Sequence, residues 1–273
     1  MQRNHIINKY YELSHLKDYF SQEIVLWFIK NKRTLPWRTK VSKDNFSYLV
    51  LVSEFMLQQT QVKTVIPYFQ RFIAKWPSVQ SLAKAKDKEV LIFWQGLGYY
   101  SRGRNLLKSA KVIVSDYGGK IPVKEEELKK LPGVGDYTAA AIRSIAFNKK
   151  AVAIDGNVKR VMARFFGIEG TLESNLNIIE KIAAWICPNS NNRNYTQGVM
   201  ELGAIICKPK NPDCGKCIIS QNCIAFNSYK TNSIPLPKKR LQKKKLKCVT
   251  YLAIKNNKSV LLIQRKDKNI LKD

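Results

Sequence analysis

The chain has 273 residues, and its 48 Lys and Arg residues against 20 Asp and Glu give a formal net charge of +28. This length suits one large or two ordinary domains, and a hydrophobic content of 45% excludes wholesale disorder. The only histidines, His5 and His15, argue against a histidine metal site or a Ser-His-Asp triad. The apolar runs are too short to cross a membrane, and the polar N-terminus predicts no secretory signal, so we expect a cytoplasmic protein.

The excess of positive charge predicts a polyanionic partner, because many like charges on one compact body repel one another. Nucleic acid is the leading candidate and an acidic membrane surface is the second. A lysine-rich composition without a dedicated partner is the third interpretation.

Helical periodicity dominates the first 225 residues, whereas clean strand alternation is nearly absent before residue 245. The pattern predicts helices at 10–30, between 48 and 68 with a break before Pro67, and at 78–85, 87–95, 101–116, 124–131, 136–147, 156–166, 173–187 and 193–206. The aromatic residues expected in the core include Trp27, Trp76, Trp94, Trp185 and Tyr100.

The composition changes after the helical region. Residues 227–247 are rich in Lys and Pro and predict a solvated basic linker, with a DNA-binding tail as the alternative. CVTYLAI and SVLLIQR, separated by KNNK, then predict two strands of a hairpin, which do not form a stable domain alone.

Four of the six cysteines form a C-x6-C-x2-C-x5-C cluster, namely Cys207, Cys214, Cys217 and Cys223. Four thiolates can bind either a structural zinc ion or a [4Fe–4S] cluster. One compact loop favours the [4Fe–4S] cluster over a zinc ribbon, which usually has two separated C-x2-C pairs. Lysines between the cysteines favour docking of this loop on phosphates. Cys187 and Cys248 are interpreted as ordinary buried or linker residues.

A short turn, Pro132-Gly133-Val134-Gly135, separates the predicted helix at 124–131 from a second helix that begins with Asp136 as its N-cap. Two glycines next to a helix N-terminus allow backbone N–H groups to approach a phosphate closely. The sequence therefore predicts a helix-hairpin-helix that binds the DNA backbone without sequence specificity. A simple corner between two helices is the alternative.

Two carboxylates stand out by their surroundings. Glu54 has apolar neighbours on both sides, so we expect desolvation to raise its pKa. Asp155 follows an apolar run and begins a helix through Asp-Gly-Asn, with Lys159 one turn later, so we expect it to stay ionised. A neutral acid and a fixed anion are what cleavage of a glycosidic bond requires. A buried hydrogen-bonded acid and a simple N-cap are the alternatives.

SEFMLQQTQV, GLGYYSRGRNL, LPGVGDYTAAAI, IDGNVKRV, MELGAIIC and the four-cysteine loop occur in this order. Over about residues 22–265 the chain resembles the MutY-type adenine DNA glycosylases of the helix-hairpin-helix superfamily. The resemblance implies an all-α fold: a six-helix barrel at 34–150 with the helix-hairpin-helix, an iron–sulfur domain at 1–33 and 151–226, and a DNA-binding cleft between them. The linker at 227–247 would lead into residues 248–273, a fragment of a Nudix-like domain that recognises 8-oxoguanine.

The same resemblance implies roles for individual residues. Glu54 would protonate adenine at N7, Asp155 would stabilise or capture the oxocarbenium ion, Asn157 would orient that carboxylate, and Tyr137 would lie beside the sugar. The residues implied to contact DNA are Gln58, Gln59, Tyr99, Leu131, Gly133, Val134, Gly135 and Lys159, with Gln59 and Tyr99 as wedges. The four cysteines would hold a [4Fe–4S] cluster, and the partner would be double-stranded DNA containing A:8-oxoguanine or A:G mispairs, bound by a monomer.

Tyr137 occupies the position at which endonuclease III-type relatives have a lysine nucleophile, so the resemblance implies base excision without efficient strand cleavage. Thr39 to Ser47 lacks a usual proline, and Leu51 replaces a common Trp, which concerns barrel packing. The Nudix-like fragment implies weaker discrimination of 8-oxoguanine from guanine. The alternatives are a catalytically decayed DNA-binding module and a bifunctional glycosylase/lyase.

Overall fold

The structure, a computed structural model, describes residues 15–39 and 42–237 together with the strand residues 254–255 and 259–260. The chain divides into two compact units, residues 1–237 and residues 238–273. None of the described helices is long and apolar enough to cross a membrane.

Within its described residues, the regular secondary structure of the first unit is helical, apart from a parallel bridge between Thr171 and Leu236. Its α-helices are α1 His15–Asn31, α2 Lys43–Leu57, α3 Val62–Lys75, α4 Val79–Ala83, α5 Asp87–Trp94, α6 Ser101–Tyr117, α7 Glu125–Leu128, α8 Asp136–Ala141, α9 Gly156–Phe165, α10 Leu176–Ile186, α11 Asn192–Ile205 and α12 Ile224–Asn227. A π-helix, Ile142–Ala146, continues α8, and short 3-10 helices occupy Pro36–Arg38, Cys214–Lys216 and Ser220–Asn222.

The predicted all-α fold is confirmed, but two predicted helix boundaries are wrong. The break expected before Pro67 lies at Gln59, whose positive φ of 56° cannot continue a helix. Pro67 lies inside α3, where Val65, Phe69 and Phe72 bury the inner face and compensate for the lost hydrogen bond. The helix expected at 124–131 is reduced to Glu125–Leu128, because the chain turns immediately into the hairpin.

Two hydrophobic clusters fill the interior of the first unit. One contains buried residues between Leu35 and Ala153, drawn from α2 to α8 and the π-helix. The other contains buried residues of α1 and of the chain from Val158 to Ile234. Trp27, Trp76 and Trp94 are buried and Trp185 packs partly buried against the second cluster, as predicted. The prediction that Tyr100 lies in the core is wrong, because it precedes α6 and is 40% exposed.

In the second unit, β1 Ile254–Lys255 pairs antiparallel with β2 Ser259–Val260, and Ile254 lies opposite Val260. This pairing confirms the predicted hairpin for these residues. Cys248 and residues 238–247 of the predicted linker lie outside the described residues.

Candidate functional site

Glu54 lies in the last turn of α2 and is only 6% exposed, between the fully buried Ser53 and Phe55. Burial raises the pKa of Glu54 to about 7, and the nearby negative charge of Asp155 adds to this shift. The Tyr137 hydroxyl donates a hydrogen bond to the Glu54 carboxyl group, and this bond lowers the pKa and so opposes the shift. Glu54 therefore binds a proton far more tightly than an exposed glutamate, as its apolar neighbours in the sequence predict.

Asp155 is the N-cap of α9 and is partly buried. Its carboxylate accepts hydrogen bonds from the backbone N–H of Val158 at 2.7 Å and from the side-chain amide of Asn157 at 2.9 Å. Capping bonds and the positive end of the helix dipole both stabilise a negative charge at this position. The carboxylate is thus held in one orientation by its own helix.

Tyr137, the second residue of α8, connects the two carboxylates. Its hydroxyl donates to Glu54, and its pKa is raised well above the usual value by burial first and then by the charges of Glu54 and Asp155. Three residues from α2, from the start of α8 and from the start of α9 therefore come together. Asn157 joins them through Asp155.

The glycine turn follows α7 and leads into this cluster. Gly133 has φ of +81°, and a Cβ atom there would lie 2.8 Å from Cβ of Asn105, so only glycine fits. The expected N-cap role of Asp136 is wrong, because the extended Gly135 caps α8 and Asp136 is its first helical residue, paired with Lys129. Leu131 and Val134, among the predicted DNA contacts, bury their side chains. Their backbone N–H groups donate to the carbonyls of Leu128 and Leu131, so both residues are buried as a whole. The accessible backbone of the turn is that of the exposed Gly133 and Gly135.

The two predicted wedge residues, Gln59 and Tyr99, share an unusual backbone. Their φ angles are +56° and +47°, and both side chains are exposed, Tyr99 to 62%. Left-handed backbone in a non-glycine residue costs energy and occurs often at functional sites. Gln58, next to the first wedge, is partly buried and donates to the Thr138 hydroxyl at 3.4 Å. Lys159, the remaining predicted contact, is partly exposed in the first turn of α9.

Two buried arginines support these residues, and the sequence reasoning missed both. Arg102 donates to carbonyl oxygens of residues that precede Gln59 and of residues that precede Tyr99. Arg160 donates to Oδ1 of Asn157 at 2.9 Å and to the carbonyl of Cys207 at 2.8 Å, so it connects the Asp155 side to the cysteine loop. Helical spacing could have indicated that Arg102 is buried, since it lies one turn before the buried Leu106 on the inner face of α6.

The four cysteines line one cavity together with Arg164, whose guanidinium is 3.4 Å from Sγ of Cys207. No three potential ligand side chains among the described residues converge on a single metal ion. A zinc ion would need sulfur atoms about 3.8 Å apart, given Zn–S bonds of about 2.3 Å in a tetrahedron. Each cysteine of a [4Fe–4S] cluster binds a different iron atom, so thiols spread around a cavity fit the cluster better.

Comparisons with known proteins identify the family of the chain. Residues 52–188 match the HhH-GPD superfamily base excision DNA repair protein family. An adenine DNA glycosylase of Buchnera aphidicola subsp. Schizaphis graminum is 42% identical over 227 residues, which is 81% of this chain and 63% of the relative. One from Rattus norvegicus is 41% identical over 80% of this chain and 44% of the relative, and one from Buchnera aphidicola subsp. Acyrthosiphon pisum is 38% identical over 93% and 72%.

Solved structures share the fold. A thermostable thymine-DNA glycosylase aligns with a TM-score of 0.69 and 30% identity, covering 79% of this chain and 99% of that one. A trapped endonuclease III–DNA covalent intermediate aligns with a TM-score of 0.63 and 23% identity, covering 77% and 95%. The chain thus spans nearly the whole of these structures but less than two thirds of the first two adenine DNA glycosylases above.

Proposed function

The chain belongs to the HhH-GPD superfamily of base excision DNA repair proteins, and from this premise we propose that it hydrolyses the N-glycosidic bond of adenine mispaired with 8-oxoguanine or guanine in double-stranded DNA. The observation that carries the proposal is the Glu54–Tyr137–Asp155 cluster, in which a carboxyl group with a pKa of about 7 lies near a second, hydrogen-bonded carboxylate. Three adenine DNA glycosylases that are 38–42% identical to the chain support the choice of base.

In the proposed reaction, Glu54 delivers its proton to N7 of the extruded adenine, which makes the base a better leaving group. The bond to the sugar then breaks, and Asp155 stabilises the positive charge that develops on the sugar. Water adds to the cationic carbon and gives up a proton, which leaves free adenine and an abasic sugar. Asn157 keeps that carboxylate in place through its 2.9 Å hydrogen bond. Tyr137 holds the Glu54 carboxyl group and lies beside the reacting sugar.

Binding of DNA is proposed to combine two contributions. The exposed backbone of Gly133 and Gly135 faces a phosphate, and the buried Leu131 and Val134 fix the turn that presents it. Lys159 adds positive charge close to the reaction centre. Gln58, Gln59 and Tyr99 line the opened duplex, where the two exposed left-handed residues act as wedges that offset the cost of unstacking. A net charge of +28 predicts that affinity falls steeply with salt concentration.

We propose that Cys207, Cys214, Cys217 and Cys223 hold a [4Fe–4S] cluster, because all four line one cavity and such a cluster takes four cysteine ligands. When bound, the cluster ties the basic loop together, and no step of base excision passes through it. Four iron and four sulfide ions per chain with broad visible absorption are expected. A colourless protein with one zinc ion would contradict this assignment.

We further propose that the two hydrophobic clusters mark the two helical domains, residues 34–150 and residues 1–33 with 151–226. We also propose that the protein acts as a monomer in the cytoplasm. The cysteines of the described residues are all free thiols and form no disulfide, which supports that location.

The decisive experiment is single-turnover adenine release from A:8-oxoguanine and A:G duplexes by the wild type and by Glu54→Gln. The wild type is expected to release adenine and the variant to bind DNA without releasing it. Binding without release by both proteins would favour a decayed DNA-binding module.

Tyr137 further predicts a monofunctional enzyme, since a tyrosine hydroxyl cannot form a Schiff base with the sugar. Borohydride is therefore expected to trap little covalent adduct. Release of a pyrimidine with stoichiometric trapping would instead favour the bifunctional glycosylase/lyase.

A further inference from the structure

Arg102, on α6, is buried between the two loops that carry the wedge residues. Its Nη1 donates to the carbonyl of Met56 at 2.8 Å, to the carbonyl of Gln58 and to Oγ1 of Thr60 at 3.1 Å. Its Nη2 donates to the carbonyls of Leu97 at 3.1 Å and Gly98 at 3.0 Å. One guanidinium therefore holds the residues that directly precede Gln59 and Tyr99.

These contacts occur where the backbone needs support. Gln59 and Tyr99 both have positive φ, a conformation that persists only when the surroundings fix it. The guanidinium also lies 5.4 Å from the centroid of the Tyr99 ring, so it contacts the wedge side chain itself. Arg102 is only 7% exposed, so these acceptors replace the water that its guanidinium loses, and burial lowers its pKa from the usual value.

We propose that Arg102 is a positioning residue, which couples the two wedge loops so that Gln59 and Tyr99 enter the duplex together when adenine is extruded. The proposal rests on the proposed function, because it concerns the extrusion step of that reaction. Arg102 contacts neither Glu54 nor Asp155 in the bonds above, so its effect on chemistry is transmitted through the wedges.

Arg193 provides a matched control. Its guanidinium also donates to two carbonyls, of Ile145 and Ala146, both at 2.7 Å, and it also covers an aromatic ring, that of Phe46 at 4.7 Å. It holds the end of the π-helix and contacts no wedge loop. Losing either arginine removes the same kind of interaction, and only Arg102 connects the proposed wedges.

The test compares Arg102→Lys and Arg193→Lys with the wild type in single-turnover adenine release, with rates expressed per active site. One duplex places adenine opposite 8-oxoguanine, and the other places it opposite an abasic analogue, where extrusion costs less. We expect Arg102→Lys to slow release at least about tenfold on the first duplex and less than about threefold on the second. Arg193→Lys is expected to change neither rate by more than about threefold.

A double-mutant cycle identifies the route of the effect. If Arg102 acts through the wedges, Arg102→Lys adds little to a Gln59→Ala, Tyr99→Ala background. Should Arg102→Lys not fold, Thr60→Ala, which removes a side-chain acceptor of Arg102, takes its place in the cycle with a smaller expected effect. Equal rate losses from Arg102→Lys on both duplexes would overturn the proposal. A full rate loss from Arg102→Lys in the Gln59→Ala, Tyr99→Ala background would also overturn it. A wild type that releases no adenine would instead refute the proposed function.

Discussion

Glu54 and Glu201 are two buried glutamates in the same chain with opposite properties. Glu54 is 6% exposed and Glu201 is 2% exposed. Burial raises the pKa of Glu54 to about 7. Burial acts in the same direction on Glu201, but hydrogen bonds from Arg33 and Arg38 outweigh it and lower the pKa to about 2.

The partners explain the difference. Glu201, on α11, accepts from Nε of Arg33 at 2.7 Å, from Nη2 of Arg33 at 2.9 Å and from Nη2 of Arg38 at 3.0 Å. The groups that shift the pKa of Glu54 are the Tyr137 hydroxyl and the Asp155 carboxylate, and neither is a cation. Burial with two cations fixes a charge that holds the fold together, whereas burial without a cation stores a transferable proton.

The largest predicted effect separates the two glutamates by activity. Glu54→Gln removes the transferable proton and is expected to slow single-turnover adenine release at least about 1,000-fold, with DNA affinity changed by less than about threefold. Glu201→Gln is its matched control and should stay within about threefold of the wild type per folded molecule. Comparable losses in both variants would mean that burial, and not the proton on Glu54, limits release.

The second prediction concerns the pH dependence of release. Glu54 donates only when protonated, so the rate at saturating enzyme is expected to fall as pH rises through about 7, by about tenfold per pH unit. The profile from pH 5.5 to 9, measured below 25 °C to limit unfolding, checks this. A rate that stays level up to pH 9 would remove Glu54 from the role of acid.

The third prediction concerns stability. Glu201→Gln leaves Arg33 and Arg38 without their counter-charge and is expected to lower the free energy of unfolding by about 2–3 kcal/mol, discounted because Arg33 is 37% exposed. Urea unfolding at pH 7 measures the loss. Glu54→Gln should cost less than about 1 kcal/mol under the same conditions, since pH 7 is close to the raised pKa of Glu54 and its buried charge already opposes folding there, whereas an amide stays neutral.

The two glutamates also predict opposite slopes of stability with pH. The folded pKa of Glu54 is raised, so its contribution is complete below pH 4.5 and is lost as pH rises through about 7. The folded pKa of Glu201 is lowered, so its contribution is complete above pH 4.5 and is lost as pH falls through about 2. We expect the free energy of unfolding of Glu54→Gln to lack the decrease towards pH 7, and that of Glu201→Gln to lack the decrease towards pH 2. Unfolding experiments across this pH range check both expectations.

The sequence predicts the burial of Glu54 and the N-cap position of Asp155 correctly, because both signals are local. An acid in an apolar helix and an Asp-Gly-Asn helix start both lie within a few residues. Nothing in the MELGAIIC segment indicates that Glu201 is buried and charged, since its partner Arg33 is 168 residues away along the chain. Arg102 was missed for a similar reason, because its acceptor at the end of α2, the carbonyl of Met56, is 46 residues away along the chain.

The incorrect boundaries have related causes. Pro67 is a strong local signal for a break, yet the buried face of α3 outweighs it. The actual break at Gln59 has no breaker residue, because Arg102 and the surrounding loops fix that backbone from outside. The helix-hairpin-helix, by contrast, is encoded by Gly133 itself, whose position admits no side chain.

The smallest predicted effect concerns the contribution of the Tyr137 hydroxyl to the pKa of Glu54. Tyr137→Phe removes the hydroxyl that lowers the pKa of Glu54, so the descending limb of the rate profile is expected to move to higher pH. Because the proton itself remains, the maximum rate should fall by less than about tenfold. Tyr195→Phe is the matched control, since its buried hydroxyl has no hydrogen-bond partner among the described residues. If the descending limb moves to lower pH in Tyr137→Phe, the hydroxyl stabilises the protonated form of Glu54. The contrast with Glu201 would then depend on that hydrogen bond as well as on the absence of a cation.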